Sequence, residues 1–126
     1  MTQGEIIDEV IEFGLADWVM DTELVGAIRE GARTADPLEV RKQLLEIVTT
    51  VVNRGLAELG DTPHGGGGFR PWGLPLDKAL ERIIRRWDAL PRTYPIGSEL
   101  FWLCNTPLGD EEAKRIQARW AAEGLL

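Results

Sequence analysis

Apolar residues recur at helical spacing through the middle of the chain, between a helix start and a helix stop. Asp36 followed by Pro37 is a typical start, because the Asp side chain accepts hydrogen bonds from free N–H groups and proline loses no helical bond there. Gly60 is a typical stop. The stripe between them consists of Leu44, Val48, Val51, Val52, Leu56 and Leu59. This pattern predicts one long helix from Asp36 to Gly60, although its β-branched residues leave a strand over 47–52 as the alternative.

Four shorter segments also have the apolar spacing of helices. Three of them begin near a capping side chain, a proline or acidic residues that favour the positive end of the helix dipole. The segments are residues 4–16, a short helix capped by Asp21 and ending near Gly31, residues 75–89 beginning at Pro75, and a last helix from Thr106–Pro107 to about Gly124. The chain is therefore expected to contain about five helices.

Two segments are bulky, aromatic and bounded by turn residues, which is typical of strands. They cover residues 69–72, where a proline restricts the strand to a sheet edge, and residues 98–105. Four consecutive glycines predict a flexible loop over 62–68. We expect a single α+β domain over residues 1–126, mostly α-helical, with a small two-stranded antiparallel ribbon.

The order of these elements is helix, helix, long helix, strand, strand, helix. The stretch NRGLAELGD ends the long helix before the Gly-rich loop, and CNTPLG leads from the last strand into a helix. This order resembles a winged-helix domain over residues 4–122, with one departure: the helix at 75–89 lies where that family has a short loop. The resemblance implies DNA binding through the long helix, 37–59. The residues it would present to DNA are Arg41, Lys42, Asn53 and Arg54.

Charge is distributed unevenly along the chain, whose formal net charge is −7. Residues 1–36 hold nine acidic and two basic residues, whereas residues 62–95 hold three acidic and six basic residues. Such segregation bears on binding partners rather than on fold. The single cysteine, the absence of an apolar run of about 18 residues and the acidic N-terminal stretch lead us to expect a cytoplasmic protein without a membrane segment or signal peptide.

A basic helix face is the strongest functional indication in the sequence. Its residues are Lys78, Arg82, Arg85 and Arg86, with Arg92 just beyond the helix. Arginine pairs well with phosphates and carboxylates, so this face would contact nucleic acid or an acidic protein surface. The structural alternative is that it meets the acidic N-terminal helix of its own chain or of a second copy. Trp72 lies in loop-like sequence nearby, either as an exposed anchor for a partner or as a lid over the core.

Catalytic and metal-binding motifs are incomplete in this sequence. His64 and the glycines after it are similar to the HGGG loop of some esterases, but the only serine, Ser98, lacks a G-x-S-x-G motif. Cys104 lies on an apolar strand, which favours a buried and unreactive thiol over a nucleophile. Asp8 and Glu12 lie one turn apart and are better interpreted as a solvated face than as a cation site. We expect no catalytic residues, no metal and no cofactor.

These patterns favour a non-catalytic module that binds another protein or itself, as an adaptor, an inhibitor or a homodimerising regulator. A winged-helix DNA-binding regulator is the first alternative. Net charge −7 disfavours that alternative, because phosphate contacts normally dominate the affinity for DNA. A small enzyme without a recognisable motif is the second alternative.

Overall fold

A computed structural model describes residues 1–62 and 68–126, and within them the chain forms five helices and four strands. The helices are α1 (Gln3–Ala16), α2 (Asp21–Gly31), α3 (Pro37–Asn53), α4 (Leu76–Asp88) and α5 (Pro107–Ala122). The strands are β1 (Val19–Met20), β2 (Ala57–Asp61), β3 (Arg70–Pro71) and β4 (Trp102–Asn105). The predicted α+β class, mostly helical with about five helices, is confirmed. Most of the predicted loop over 62–68, with His64, lies outside the described residues.

The strands form one antiparallel sheet in the order β1-β4-β2-β3. Leu103 of β4 lies opposite Val19 of β1 on one side and Leu59 of β2 on the other. The predicted two-stranded ribbon was therefore too small, because β1 and β2 were not foreseen. The two strands that were predicted, β3 and β4, do not pair with each other, since β2 lies between them. The winged-helix resemblance is not confirmed.

The central helix begins where the sequence predicts but ends earlier. Asp36 Oδ1 accepts a hydrogen bond from Leu38 N at 3.2 Å, and α3 continues to Asn53 without a strand over 47–52. Gly55 then adopts a left-handed backbone with φ of 72°, and the helix ends at Asn53, seven residues before Gly60. Leu56 and Leu59 fit helical spacing, but Leu56 directly precedes β2 and Leu59 is a buried residue of that strand. The chain is extended here because β2 pairs with β4.

The core lies between the helices and one face of the sheet. Its fully buried side chains include Ile6, Ile11, Leu24, Ile28, Leu44, Ile47, Ile83, Phe101, Leu103 and Ile116. Helices α1 and α5 pack together along one side, where Arg119 Nη2 contacts Asp8 Oδ2 at 2.5 Å and Gln117 Nε2 donates to Glu12 at 3.0 Å. Arg119 thereby neutralises Asp8, whereas Glu12 keeps its charge because the Gln117 amide is neutral.

Asp21 is fully buried and joins α2 to a distant segment of the chain. Its carboxylate accepts hydrogen bonds from Ser98 N at 2.9 Å, Glu99 N at 2.9 Å and Leu100 N at 2.7 Å. It was predicted as the N-cap of its helix, but it is the first helical residue and also bonds the next backbone N–H at 2.7 Å. A strand was predicted over residues 98–105 and is confirmed only over 102–105. Residues 98–101 are not part of the strand, because the N–H groups of residues 98–100 bond Asp21 instead of a neighbouring strand.

Candidate binding surface

Trp72 follows the edge strand β3 and lies half-buried against the core rather than exposed. Its backbone N–H donates to Leu59 O at 3.0 Å, which holds it beside β2. The Cζ atoms of Arg82 and Arg86 lie 4.8 and 5.1 Å from the centre of its ring, so two cations of α4 stack against the indole. Trp72 therefore has the position of a lid, and two residues of the predicted basic face hold it there.

Arg86 is the most firmly bound residue of that face. Its guanidinium donates to both carboxylate oxygens of Asp61, at 2.9 and 3.4 Å, and to Leu100 O at 3.0 Å. Burial alone would raise the pKa of Asp61, but the hydrogen bond from Arg86, the neighbouring Trp72 indole and the charges of Arg86 and Arg82 together lower that pKa. Arg86 thus contributes to structure and has limited freedom to meet a ligand.

The remaining basic residues differ in how far other residues of the chain already bind their side chains. Arg92 donates to Glu99 at 2.6 Å, and this hydrogen bond is the main cause that lowers the pKa of Glu99. Lys78 lies 3.6 Å from Glu81, with both side chains largely exposed. Arg85 is exposed and forms no ion pair with any residue that the structure describes. Of the predicted face, Arg85 and Lys78 are the cations most available to a partner.

An open groove of about 470 Å³ lies beside Trp72, between β2, β3, the C-terminal end of α3 and the start of α4. We call it the Trp72 groove. Its apolar lining includes Val52, Leu59, Trp72, Leu74, Leu76 and Ala79. Leu74 is 36% exposed at its edge, and Leu108, next to Gly55, is 47% exposed. Glu58 and Thr106 supply its polar groups, so the lining is mainly apolar.

The four residues predicted for DNA contact do not form a cluster. Arg41 donates to Asp88 at 2.8 Å, and its Cζ lies 5.6 Å from the centre of the Trp87 ring, so it fixes α3 against α4. Lys42, Asn53 and Arg54 are exposed. Lys42 and Asn53 are eleven residues apart on α3, or about 16 Å along the helix axis. This surface offers separated polar contacts rather than one concentrated basic patch.

A second groove, of about 560 Å³, was not found from the sequence. It lies between α1 and α2, and β1 and Trp120 of α5 complete it. Val10, Val19 and Ala27 give it an apolar lining, and Phe13 at its edge is 46% exposed. Its acidic residues are Glu9, Glu12, Glu23 and Glu30. We call it the acidic groove. The excess of acids in 1–36 was visible in the sequence, but nothing there indicated that Trp120 joins them.

Cys104 and Ser98 are the two possible nucleophiles considered from the sequence, and the structure describes both. Cys104 is half-buried, and burial, followed by the nearby charges of Glu58 and Asp110, raises the pKa of its thiol. Its reactive thiolate form is therefore disfavoured. Ser98 accepts a hydrogen bond from the Trp102 indole at 2.7 Å, and His64, the one histidine of the sequence, lies outside the described residues.

Comparison of the chain with protein-family models, with curated proteins and with solved structures gave no match. Within residues 1–62 and 68–126, no group of three or more His, Cys, Asp or Glu side chains is arranged to hold a metal ion. None of the helices in that part of the chain is both long and apolar enough to cross a membrane. Function is therefore inferred from the two grooves.

Proposed function

We propose that the chain is a non-catalytic protein-binding module whose Trp72 groove receives an apolar segment of a partner protein flanked by acidic residues. The observation that carries this proposal is an open apolar groove directly beside the basic face of α4. Large apolar side chains that enter such pockets supply most of the energy at protein interfaces, and a polar rim supports them.

The lining of the groove favours a protein anchor over a small polar ligand. Its volume of about 470 Å³ is within the usual range for binding pockets. A small-molecule site normally adds several converging polar groups that orient the ligand, whereas Glu58 and Thr106 are the polar side chains here. Leu74 at the edge extends the apolar surface outward, where a partner segment would cover it.

The charges around the groove favour acidic flanking residues in the partner. Lys78 and Arg85 project from α4, and Arg82 lies over the Trp72 ring. Charges at the rim of an interface mainly accelerate association and make it sensitive to salt. Binding is therefore expected to weaken as the salt concentration rises, while the affinity that comes from apolar contacts in the groove is retained.

The test is capture from an extract of the native cells, with and without nuclease, using wild type and Leu74→Glu. Leu74 is 36% exposed beside the groove, so the substitution places a charge where the partner segment would lie, and thermal unfolding verifies that the variant is folded. Leu38→Glu is the matched control, because Leu38 is 78% exposed on α3, fourteen residues or about 21 Å from Val52. A photo-crosslinking residue at position 74 would then identify the partner segment in contact.

Support requires a partner that survives nuclease, crosslinks from position 74, is lost with Leu74→Glu and is retained with Leu38→Glu. Equal capture by both variants would reject the groove as the site. Crosslinks between two copies of the chain would favour homodimerisation instead. Recovery of DNA that disappears with nuclease, and that is lost with Lys42→Gln/Arg54→Gln, would favour the DNA-binding alternative.

A further inference from the structure

The acidic groove, which α1, α2, β1 and Trp120 form, has the chemistry of a second binding site. We propose that it binds a basic amphipathic helix of a partner protein. The proposal does not depend on the Trp72 groove, because the two grooves have no lining residue in common. It rests on the shape between α1 and α2, on an apolar lining with the exposed Phe13 beside it, and on charges that remain uncompensated.

The groove can admit the backbone of a docking helix because one residue of its wall on α2, Gly26, has no side chain. A Cβ atom added at Gly26 would meet no atom within 4 Å, so space is open above this turn of the helix. Val10, Val19 and Ala27 lie in the lining, and the aromatic rings of Phe13 and Trp120 lie at its sides. An amphipathic helix places its apolar residues into grooves of this kind at spacings of three and four residues.

The carboxylates around this lining determine the charge of the occupant. Glu9, Glu12, Glu23 and Glu30 form no ion pair with a residue that the structure describes. Glu12 accepts only from the neutral Gln117 amide, and Glu23 from the backbone N–H of Met20. Arg29, the nearest base in sequence, is stacked over Tyr94 with its Cζ 4.5 Å from the ring centre. Lys and Arg on a docking helix would supply the missing positive charge.

A second copy of the chain does not offer a suitable helix. The basic helix α4 has its apolar side, Ala79, Ile83 and Trp87, buried in its own core. It could bring charge to the groove but no apolar residues. The bases of α5 are likewise opposite a buried stripe that contains Ala113 and Ile116. The occupant is therefore a helix from a different protein.

The test uses the full chain and a fluorescein-labelled synthetic peptide of about 18 residues, or five helical turns. Its leucines occupy one helical face and its lysines the other, and a peptide of the same composition with the two faces scrambled serves as control. Fluorescence anisotropy is measured for wild type, for Glu9→Gln/Glu23→Gln/Glu30→Gln, and for Gly26→Leu, which adds a bulky side chain to the α2 wall of the groove without changing charge. The matched charge control is Glu46→Gln/Asp77→Asn/Glu111→Gln, at exposed positions outside the groove.

We expect the amphipathic peptide to bind wild type and the charge control equally, and to bind both groove variants at least about tenfold more weakly. The scrambled peptide should bind wild type more weakly than the amphipathic one. Unchanged binding to Gly26→Leu, or equal weakening by the charge control, would overturn the proposal, because binding would then be diffuse attraction to an acidic protein. Self-association of wild type in sedimentation, lost in Gly26→Leu, would overturn the choice of occupant.

Discussion

The Trp72 groove and the acidic groove are similar in volume, about 470 and 560 Å³, yet they differ in how their charges are held. Beside the Trp72 groove, Arg86 is bound to Asp61, and Arg82 is stacked on an indole. Around the acidic groove, four glutamates have no ionic partner within the described part of the chain. The charge that a sequence shows is therefore different from the charge that a folded surface offers to a ligand.

The two grooves also differ in their supports. The Trp72 groove depends on the sheet edge, where β3 contributes two residues paired to β2. The acidic groove depends on the packing of α1 and α2 and on the bonds from Asp21 to residues 98–100. Substitutions in one support should therefore disturb one groove more than the other. Four predictions test these supports and the contacts of the charged residues, beginning with the largest expected effect.

Asp21→Ala should lower the free energy of unfolding by about 3–5 kcal/mol, because it leaves one buried and two partly buried backbone N–H groups without their acceptor. Three such groups, on Ser98, Glu99 and Leu100, bond the carboxylate. Asp21→Asn keeps one acceptor oxygen, so its free energy of unfolding should fall by less than that of Asp21→Ala. Urea denaturation measures both variants. A loss below about 1 kcal/mol for Asp21→Ala would show that this link does not hold α2 in place.

Gly60→Ala should cost about 1–3 kcal/mol through overpacking, and it should disturb the Trp72 groove selectively. A Cβ at Gly60 would lie 2.4 Å from Arg70 O, so β3 would have to move. The control is Gly26→Ala in the acidic groove, where the added methyl meets nothing and should stabilise α2 by about 0.5–1 kcal/mol. Thermal unfolding and the NMR signal of the Trp72 indole provide the readouts. Equal effects of the two substitutions would contradict the separation.

Arg86→Gln and Arg85→Gln should have different effects although both residues lie on the same basic helix. Arg86→Gln removes bonds to Asp61 and Leu100 O and should cost about 1–2 kcal/mol of stability. Arg85→Gln should change stability by less than about 0.5 kcal/mol, because Arg85 is exposed. It should instead weaken the partner captured through the Trp72 groove. If both variants had the same stability, the assignment of Arg86 to structure would be wrong.

The pair formed by Arg86 and Asp61 should add a small acid-sensitive contribution to stability. The pKa of Asp61 is lower in the folded chain than its ordinary value of 3.8, so this contribution is present above that value and is lost as pH falls through the folded pKa. Because the Asp61 side chain is 47% exposed, the contribution of the pair to the free energy of unfolding should be only about 0.2–1 kcal/mol.

The measurement is the stability difference between wild type and Asp61→Asn at about pH 6 and about pH 3. The difference should be present at the higher pH and should diminish at the lower one. In an Arg86→Gln background the effect of the same substitution should depend less on pH, because the Arg86 hydrogen bond is the main cause that lowers the pKa of Asp61. A difference that grows on acidification would contradict the assigned sign.

Local signals predicted much of the fold. The caps at Asp36 and Thr106 were identified correctly, since a capping side chain acts on N–H groups two or three residues away. The end of α3 was placed wrongly because Leu56 and Leu59 satisfy helical spacing and strand burial alike. Choosing between them required the pairing of β2 with β4, which lies more than forty residues further along the chain.

The basic face of α4 was recognised from the spacing of its residues, but the contacts that its arginines form were not. Whether Arg82 and Arg86 are free depends on Trp72 and Asp61, which other segments place beside them. The acidic groove was missed for the same reason. Its acids come from α1 and α2, whereas Trp120 comes from α5 about one hundred residues later.

The sequence by itself determined the helices, their starts, the α+β class and the segregation of charge, because these follow from interactions within a few residues. Only the tertiary structure decided which charges are neutralised, where Asp21 finds its partners and how distant side chains form the two grooves. Hydrogen bonds and ion pairs act over a few ångströms in space, without regard to separation along the chain. Asp21 illustrates this, since its partners lie 77–79 residues away.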